Sequence, residues 1–321
     1  MIAFALRRLG RAVPALATIV VVTFVLIQAA PGSAADVLAG SGGDQSTVEY
    51  LRTYLQLDRP LWRQLLAYVG HLARGDLGRS FVQGGTPVSR LIGDRLPATL
   101  LLMGSALVIS SLVGVLLGAW PSRKPYGRFD LALSTTSIVA YAVPVFWSGQ
   151  LALLVFAFHL GWFPIQGMTD ARQSLSGISH GWDVARHLVL PAIVLAASEL
   201  ALVSRVTRSG LLGERPKDYL RTARAKGVSE RRVMFAHALP NALLPVVTVV
   251  GNRVGFIFTG AVITESVFGW PGLGTLVVNA AQSRDRPVLL GIVILVSVAV
   301  VVANLVTDLV YAWIDPRIRY A

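Results

Sequence analysis

The 321-residue chain predicts an all-α polytopic membrane protein with six transmembrane helices, on three observations. Hydrophobic residues make up 54% of it and charged residues 14%, with a mean hydropathy of +0.62, too apolar for a soluble globular chain of this size. The apolar residues gather into six runs near the ~20 residues a span needs. The basic residues flank those runs. A formal charge of +12 would otherwise suggest nucleic acid. No DNA- or RNA-binding motif is present, and the charges follow the positive-inside pattern, so no nucleic-acid partner is expected.

The N-terminus carries Arg7, Arg8 and Arg11, then an apolar run from Ala12 to Ala30. A charged start, a hydrophobic core and small residues near Ala30 to Ala35 also fit a cleaved signal peptide. The run of 19 residues exceeds a usual signal core, which favours a retained first span over residues 1–30. Residues 31–97 are mixed and polar, an extracytoplasmic loop subdomain. In it Leu61, Leu65, Leu66, Val69 and Leu72 share one face of an expected amphipathic helix. Residues 98–313 form a core of five spans.

The first of these runs from Ala98 to Trp120, and the next from about Leu131 to Phe158 with Pro144 in its middle and a Ser/Thr cluster at 134–137. Pro144 is expected to kink a helix whose polar face packs on a neighbour. A fourth span covers about His187 to Val206. A fifth runs from about Asn241 to Glu265, and Pro287 to Trp313 is the sixth. Residues 314–321 are left as a tail. Seventeen Lys and Arg fall on the side of the two termini and the 207–240 loop, and eleven on the other side, seven of those in the long first loop. Short connections carry the orientation signal, so both termini and the 207–240 loop are expected in the cytoplasm.

Several chemistries are missing. A phosphate-binding loop needs a lysine after glycine, and Lys124, Lys217 and Lys226 follow Arg, Pro and Ala. With no cysteine there is no disulfide, thiolate metal site or cysteine nucleophile. His71, His159, His180, His187 and His237 form no His-x-x-x-His pair, and no Gly-x-Ser-x-Gly elbow appears. The chain reads as non-enzymatic, with no metal or other cofactor of its own.

The most informative stretch is basic and helical, between the fourth and fifth spans. Pro216 can open a helix, Asp218 sits in its first turn, Lys226 in its last, and Gly227 where a left-handed cap is needed. Ser229 restarts a helix that runs through Leu239 and Pro240 into the next span. Tyr219, Thr222, Ala223 and Lys226 share a stripe, with Ala225 beside it. A solvated positive-inside helix would look much the same. Ala223, Gly227, Leu239 and Pro240 match the EAA loop of ABC importer permeases, E-A-A-x-x-x-G-x(9)-I-x-L-P. Arg221, Thr222 and His237 depart from it.

The wording DYLRTARAKGVSERRV resembles the variant carried by the dipeptide and oligopeptide permeases. LDRP, GDLGRSF, RLPATL, HLGWFPIQG, HLVLPA, FGWPGLG and DPRIRY occur in the same order. The chain is thereby similar to the first of two permease subunits of a peptide-type importer.

That resemblance implies a type I ABC importer permease fold in the cytoplasmic membrane of a prokaryote. It also implies a paralogous second permease, two ATPase subunits holding the ATP and Mg, and an extracytoplasmic substrate-binding protein. Asp218, Tyr219, Arg221, Thr222, Ala223, Ala225, Lys226, Gly227, Leu239 and Pro240 would then couple to the ATPase. Trp270, Pro271 and Gly272 would face the binding protein or outer gate. Dipeptides, oligopeptides, nickel and glutathione all remain open as substrates. A self-contained secondary transporter is the other class, but no convincing internal repeat supports it.

Glu199, Arg253, Glu265 and Asp308 lie in or at the edges of spans, where each charge is costly, so they should face a bundle interior, a water path or one another. With Asn252, the first three are candidates for the translocation path. Glu199 and Arg253 stand at comparable depth. They are expected to pair, or else to meet a backbone carbonyl or the partner permease. Glu265 either serves the outer gate or caps the turn after it.

Overall fold

In a computed structural model, residues 2–29, 34–39, 45–54, 58–121, 125–172 and 175–314 are described. Among them the chain is helical, with no strand and one isolated bridge between Arg79 and Pro87. Apolar helices satisfy every backbone N–H and C=O internally, which hydrocarbon demands. The helices are α1 (Ile2–Ala29), α2 (Ala34–Ala39), α3 (Gln45–Tyr54), α4 (Leu61–Leu72), α5 (Val88–Ala119), α6 (Arg128–Ala142), α7 (Val145–Ala152), α8 (Gly177–Glu214), α9 (Asp218–Ala225), α10 (Glu230–Arg232), α11 (Leu239–Ala242), α12 (Leu244–Asn252), α13 (Val254–Phe268), α14 (Leu273–Gln282) and α15 (Arg286–Ile314). π-Helical turns continue α7 through Leu153–His159 and join α10 to α11 through Val233–Ala238. Of the predicted tail at 314–321 all but Ile314 lies outside the described residues, as do Arg123 and Lys124.

Among the described residues four helices are long and apolar enough to cross a membrane, or up to seven spans if three bent pairs each count as one. The third predicted span is not one helix. It turns by 102° between α6 and α7, where Val143 and Pro144 are both extended, with ψ of 129° and 135°. A residue before proline is pushed out of the α region, and here the chain follows that preference completely. Pro14, Pro97 and Pro191 lie inside continuous helices, so proline by itself does not decide. The fifth predicted span is also divided, with a 45° bend at Leu243 and a break at Arg253 between α12 and α13. The second predicted span begins earlier than expected, α5 starting at Val88. α8 outruns its predicted span at both ends: its 38 residues make about 57 Å, far beyond a ~30 Å hydrocarbon core.

Two compact units result, residues 1–99 with 271–302 and residues 100–270 with 303–321. In the first, Ser80 and the Phe81 N–H both donate to the buried Asp285 carboxylate. The Leu273 N–H donates to Thr99 Oγ1 at 2.7 Å. The apolar face expected of α4 is divided: Leu65 and Leu72 are half-buried beside Tyr68, whereas Leu61, Leu66 and Val69 are exposed.

In the second unit α8 is the central strut. A Cβ on Gly118 would stand 2.5 Å from the Ser204 carbonyl oxygen, and one on Gly114 2.8 Å from the Val203 side chain, so α5 approaches α8 backbone to backbone. This is a small-xxx-small contact, the usual way for membrane helices to gain close packing. On another side of α8, Arg208 donates from Nε and Nη2 to the buried Asp130 carboxylate at 2.5 and 2.7 Å, and the Tyr126 N–H donates to the same group at 2.8 Å.

Candidate coupling site

α8 runs on to Glu214, and a short turn at 215–217 reverses the chain into α9. Lys217 is extended, with φ −70° and ψ 143°, and serves as N-cap; Asp218 follows in the first turn, where a carboxylate complements the helix dipole. Gly227 has φ +79°. Its N–H bonds the Arg224 carbonyl at 2.9 Å, and the Val228 N–H returns to Ala223 at 3.2 Å. A left-handed cap of this kind turns the chain sharply at low cost only for glycine. Ser229 then caps the next helix by its extended backbone, without a side-chain bond.

What holds α9 in place is mostly behind it. Leu220 is buried in a cluster with Leu211 of α8 and with Val233, Met234, Ala238 and Ala242. Ala223 packs on the edge of that cluster. Tyr219 donates its hydroxyl to Glu214 Oε2 at 2.7 Å and accepts from Asn241 Nδ2 at 3.0 Å. Burial, then the Glu214 carboxylate, pushes the Tyr219 phenol above its ordinary pKa, so it stays a proton donor. Lys217 Nζ meets the other Glu214 oxygen at 2.6 Å. Arg224 bridges forward, giving two bonds of 3.0 Å to Glu230, a bidentate tie between α9 and α10.

The predicted stripe therefore does not present itself as one face. Tyr219 is 39% exposed but its hydroxyl is committed inward, and Ala223 faces the cluster. Asp218, Arg221, Thr222, Ala225 and Lys226 surround them, and of these Asp218, Arg221, Thr222 and the residues after Arg224 reach outward to solvent. The i, i+3, i+4 spacing was legible, but Leu220, one residue round the helix, decides which side is in. Leu239 is half-buried and Pro240 lies at the far end of the hairpin. Tyr219→Phe is expected to loosen α9 by about 1.5 kcal/mol, the low end for a bond to a charged group because the site is part-exposed. Faster amide exchange over residues 218–226 would report it.

Deeper in the same unit, Arg253 Nε donates to Glu199 Oε2 at 2.9 Å. The side chains are 20% and 11% exposed. The expected pairing of α8 with the α12–α13 break is thus made directly. Arg205 lies over the Tyr141 ring at 5.2 Å, a cation–π contact on the same strut. The side chains of Asn252 and Asp308 lie outside the described residues.

Glu265 is fully buried. Its carbonyl accepts the Gly269 and Trp270 N–H groups, the latter at 2.9 Å, and Gly269 is left-handed at φ +61°. The cap expected of Glu265 is thus made by its backbone. Trp270 and Gly272 are buried, Gly269 is exposed and Pro271 is half-buried.

Sequence reasoning passed over Gly114 and Gly118, although G-x-x-x-G was there to read. It also passed over Asp130, Arg208 and Glu214, whose partners are distant or across a turn and carry no local signal.

Residues 110–320 match the family described as the binding-protein-dependent transport system inner membrane component, and residues 1–103 match the N-terminal membrane component of such systems. The chain belongs to this transport family. Family members similar to it include the oligopeptide transport system permease protein AppB of Bacillus subtilis, 40% identical over all of both chains. The di/tripeptide permease protein DppB of Pseudomonas aeruginosa is 39% identical, over 100% of this chain and 99% of that one. The dipeptide permease protein DppB of Escherichia coli K12 is 37% identical, with the same coverage. Among solved structures, a chain of the inward-facing MetNI methionine ABC transporter superposes at TM-score 0.51 and 17% identity, over 70% of this chain and 96% of that one. That likeness shows a shared fold.

Proposed function

We propose that this chain is the first of two paralogous permease subunits of an ATP-driven peptide importer in the cytoplasmic membrane. A substrate-binding protein delivers a di- or oligopeptide from outside, and two separate ATPase subunits hold ATP and Mg. The hairpin 207–240, in the cytoplasm, transmits their closure to the spans. One observation carries the coupling role: α9 is anchored from behind by Leu220, Glu214–Tyr219 and Arg224–Glu230, while Asp218, Arg221, Thr222 and Lys226 stay open to a partner. A lever needs a rigid back and an open front. The relatives' names supply the substrate class.

In the assembled importer the ATPase grips the outer face of α9 and the turn at Gly227. Glu199 and Arg253 line or brace the path at the α12–α13 break, with Asn252 beside Arg253. Glu265 holds the turn that follows it, through which the outer end meets the binding protein.

Ala225→Trp adds bulk beside the outer face, and Gly227→Val forces a β-branched residue to φ +79°, costing about 1–2 kcal/mol. Both variants are expected to leave the permease assembled and to uncouple ATP hydrolysis from peptide uptake. Proteoliposome uptake measured beside ATPase activity checks this. Coupled uptake at wild-type rate in both would reject the assignment of the loop, and failure of the chain to co-purify with any ATPase would reject the importer reading.

A further inference from the structure

We propose that the cavity between α1, α4, residues 76–81 and the start of α15 binds an anionic phospholipid of the outer leaflet. Its volume is about 560 Å³. Its lining includes the apolar or aromatic Phe24, Tyr68 and Leu290 and the cationic residues Arg59, Arg63, Arg79 and Arg286, with Asp76 the one lining carboxylate. Asp76 is already engaged, accepting from the Gly78 N–H at 2.9 Å and facing His71 at 3.0 Å. Arg286 is oriented by donating to Gln28 Oε1, and the same amide donates through Nε2 to Gln64 Oε1 at 3.0 Å.

A second feature asks for a ligand. Among the described residues the Tyr68 hydroxyl is buried without a hydrogen-bond partner, on a ring stacked 6.2 Å from Phe24. Leaving a buried donor unmade is costly. Burial pushes this phenol up to about 12, so it remains a neutral donor at any physiological pH. A phosphate or ester oxygen would satisfy it.

The surroundings select a lipid over a soluble anion. Val25 and Leu26 on α1 and Leu66 on α4 are exposed apolar side chains on the two helices that line the cavity, and Trp62 is 58% exposed on α4, as aromatic side chains at a membrane interface are. The cavity lies at the end of α1 remote from Arg7, Arg8 and Arg11, and the charge distribution places that end outside. Guanidinium groups match a phosphate in a bidentate manner, and acyl chains continue along Phe24 and Leu290. The site depends on the membrane placement and not on which solute is carried.

The test uses the detergent-purified full-length transporter, titrated with dioleoylphosphatidylglycerol, dioleoylphosphatidylcholine or inorganic phosphate, with binding read by native mass spectrometry and protection by the thermal midpoint. Phosphatidylglycerol is expected to bind and protect, and the other two are not. Arg63→Gln should weaken that lipid about fivefold, the effect of removing one cation near a membrane surface. Tyr68→Phe should leave the lipid-free midpoint unchanged, since no bond is lost, and still weaken phosphatidylglycerol binding. Equal protection by phosphatidylcholine would overturn the proposal. So would protection by inorganic phosphate alone, displacement of the lipid by a dipeptide, or wild-type lipid binding in both variants.

Discussion

Arg253→Met is expected to destabilise the protein by about 3 kcal/mol, because it strands the buried Glu199 carboxylate without its partner. The low end of the usual range of about 3–5 kcal/mol applies, since Arg253 keeps 20% of its side chain exposed and water can relax around the site. Glu199→Leu removes the carboxylate from Arg253 and should also destabilise, though by less, because Arg253 keeps its contact with Tyr141. The double variant Glu199→Leu/Arg253→Met should recover most of the loss, because well-packed apolar side chains replace a buried ion pair at little net cost. Thermal unfolding of the four proteins in one detergent gives the cycle. A double variant as unstable as the sum of the singles would show that each residue depends on other partners. The functional result separates bracing from transport: if the pair only braces α8 against the α12–α13 break, the restored double variant transports, and if it lines the path, it does not.

Gly118→Ala should be as damaging, although it adds a single methyl group. The new carbon would lie 2.5 Å from the Ser204 carbonyl oxygen and 2.7 Å from Thr207 Cβ. Neither obstacle is the free end of a long side chain, so α5 and α8 must separate along their contact. Overpacking of this type costs about 1–3 kcal/mol, and the upper end is expected where backbone is the obstacle. Separation would also pull on Arg208, one residue past Thr207, and weaken its bidentate bond to Asp130. Loss of monodisperse protein on size exclusion, with a lowered thermal midpoint, is the expected readout. Gly104→Ala is the control: it lies on the same helix, a Cβ there would meet nothing within 4 Å, and the variant should behave as wild type.

The two predictions differ in how much of them could be read beforehand. The Glu199–Arg253 pair was legible because a charge inside an apolar run is expensive and must find a partner at its own depth. The Gly118 contact was legible only as a spacing, since which helix fills the groove depends on the bundle. The cap at Gly227 was legible because a left-handed residue after a basic last turn leaves few alternatives. The face of α9 was not, because Tyr219 and Ala223 are turned inward by Glu214, Asn241 and the cluster around Leu220, all of which come from elsewhere in the chain.

By itself the sequence determined that the chain is helical and membrane-embedded, where its apolar runs lie, and that a basic hairpin interrupts it after the fourth run. Those properties are local, set by hydropathy, charge and the conformational limits of glycine and proline. The tertiary structure decided that α6 and α7 part at a 102° bend, that α8 continues to Glu214 before the hairpin begins, and which side of α9 stays open. Helix breaks, helix length past the lipid and the inward face of a short amphipathic helix are settled by long-range packing and by hydrogen bonds between distant segments, and no window of neighbouring residues contains that information.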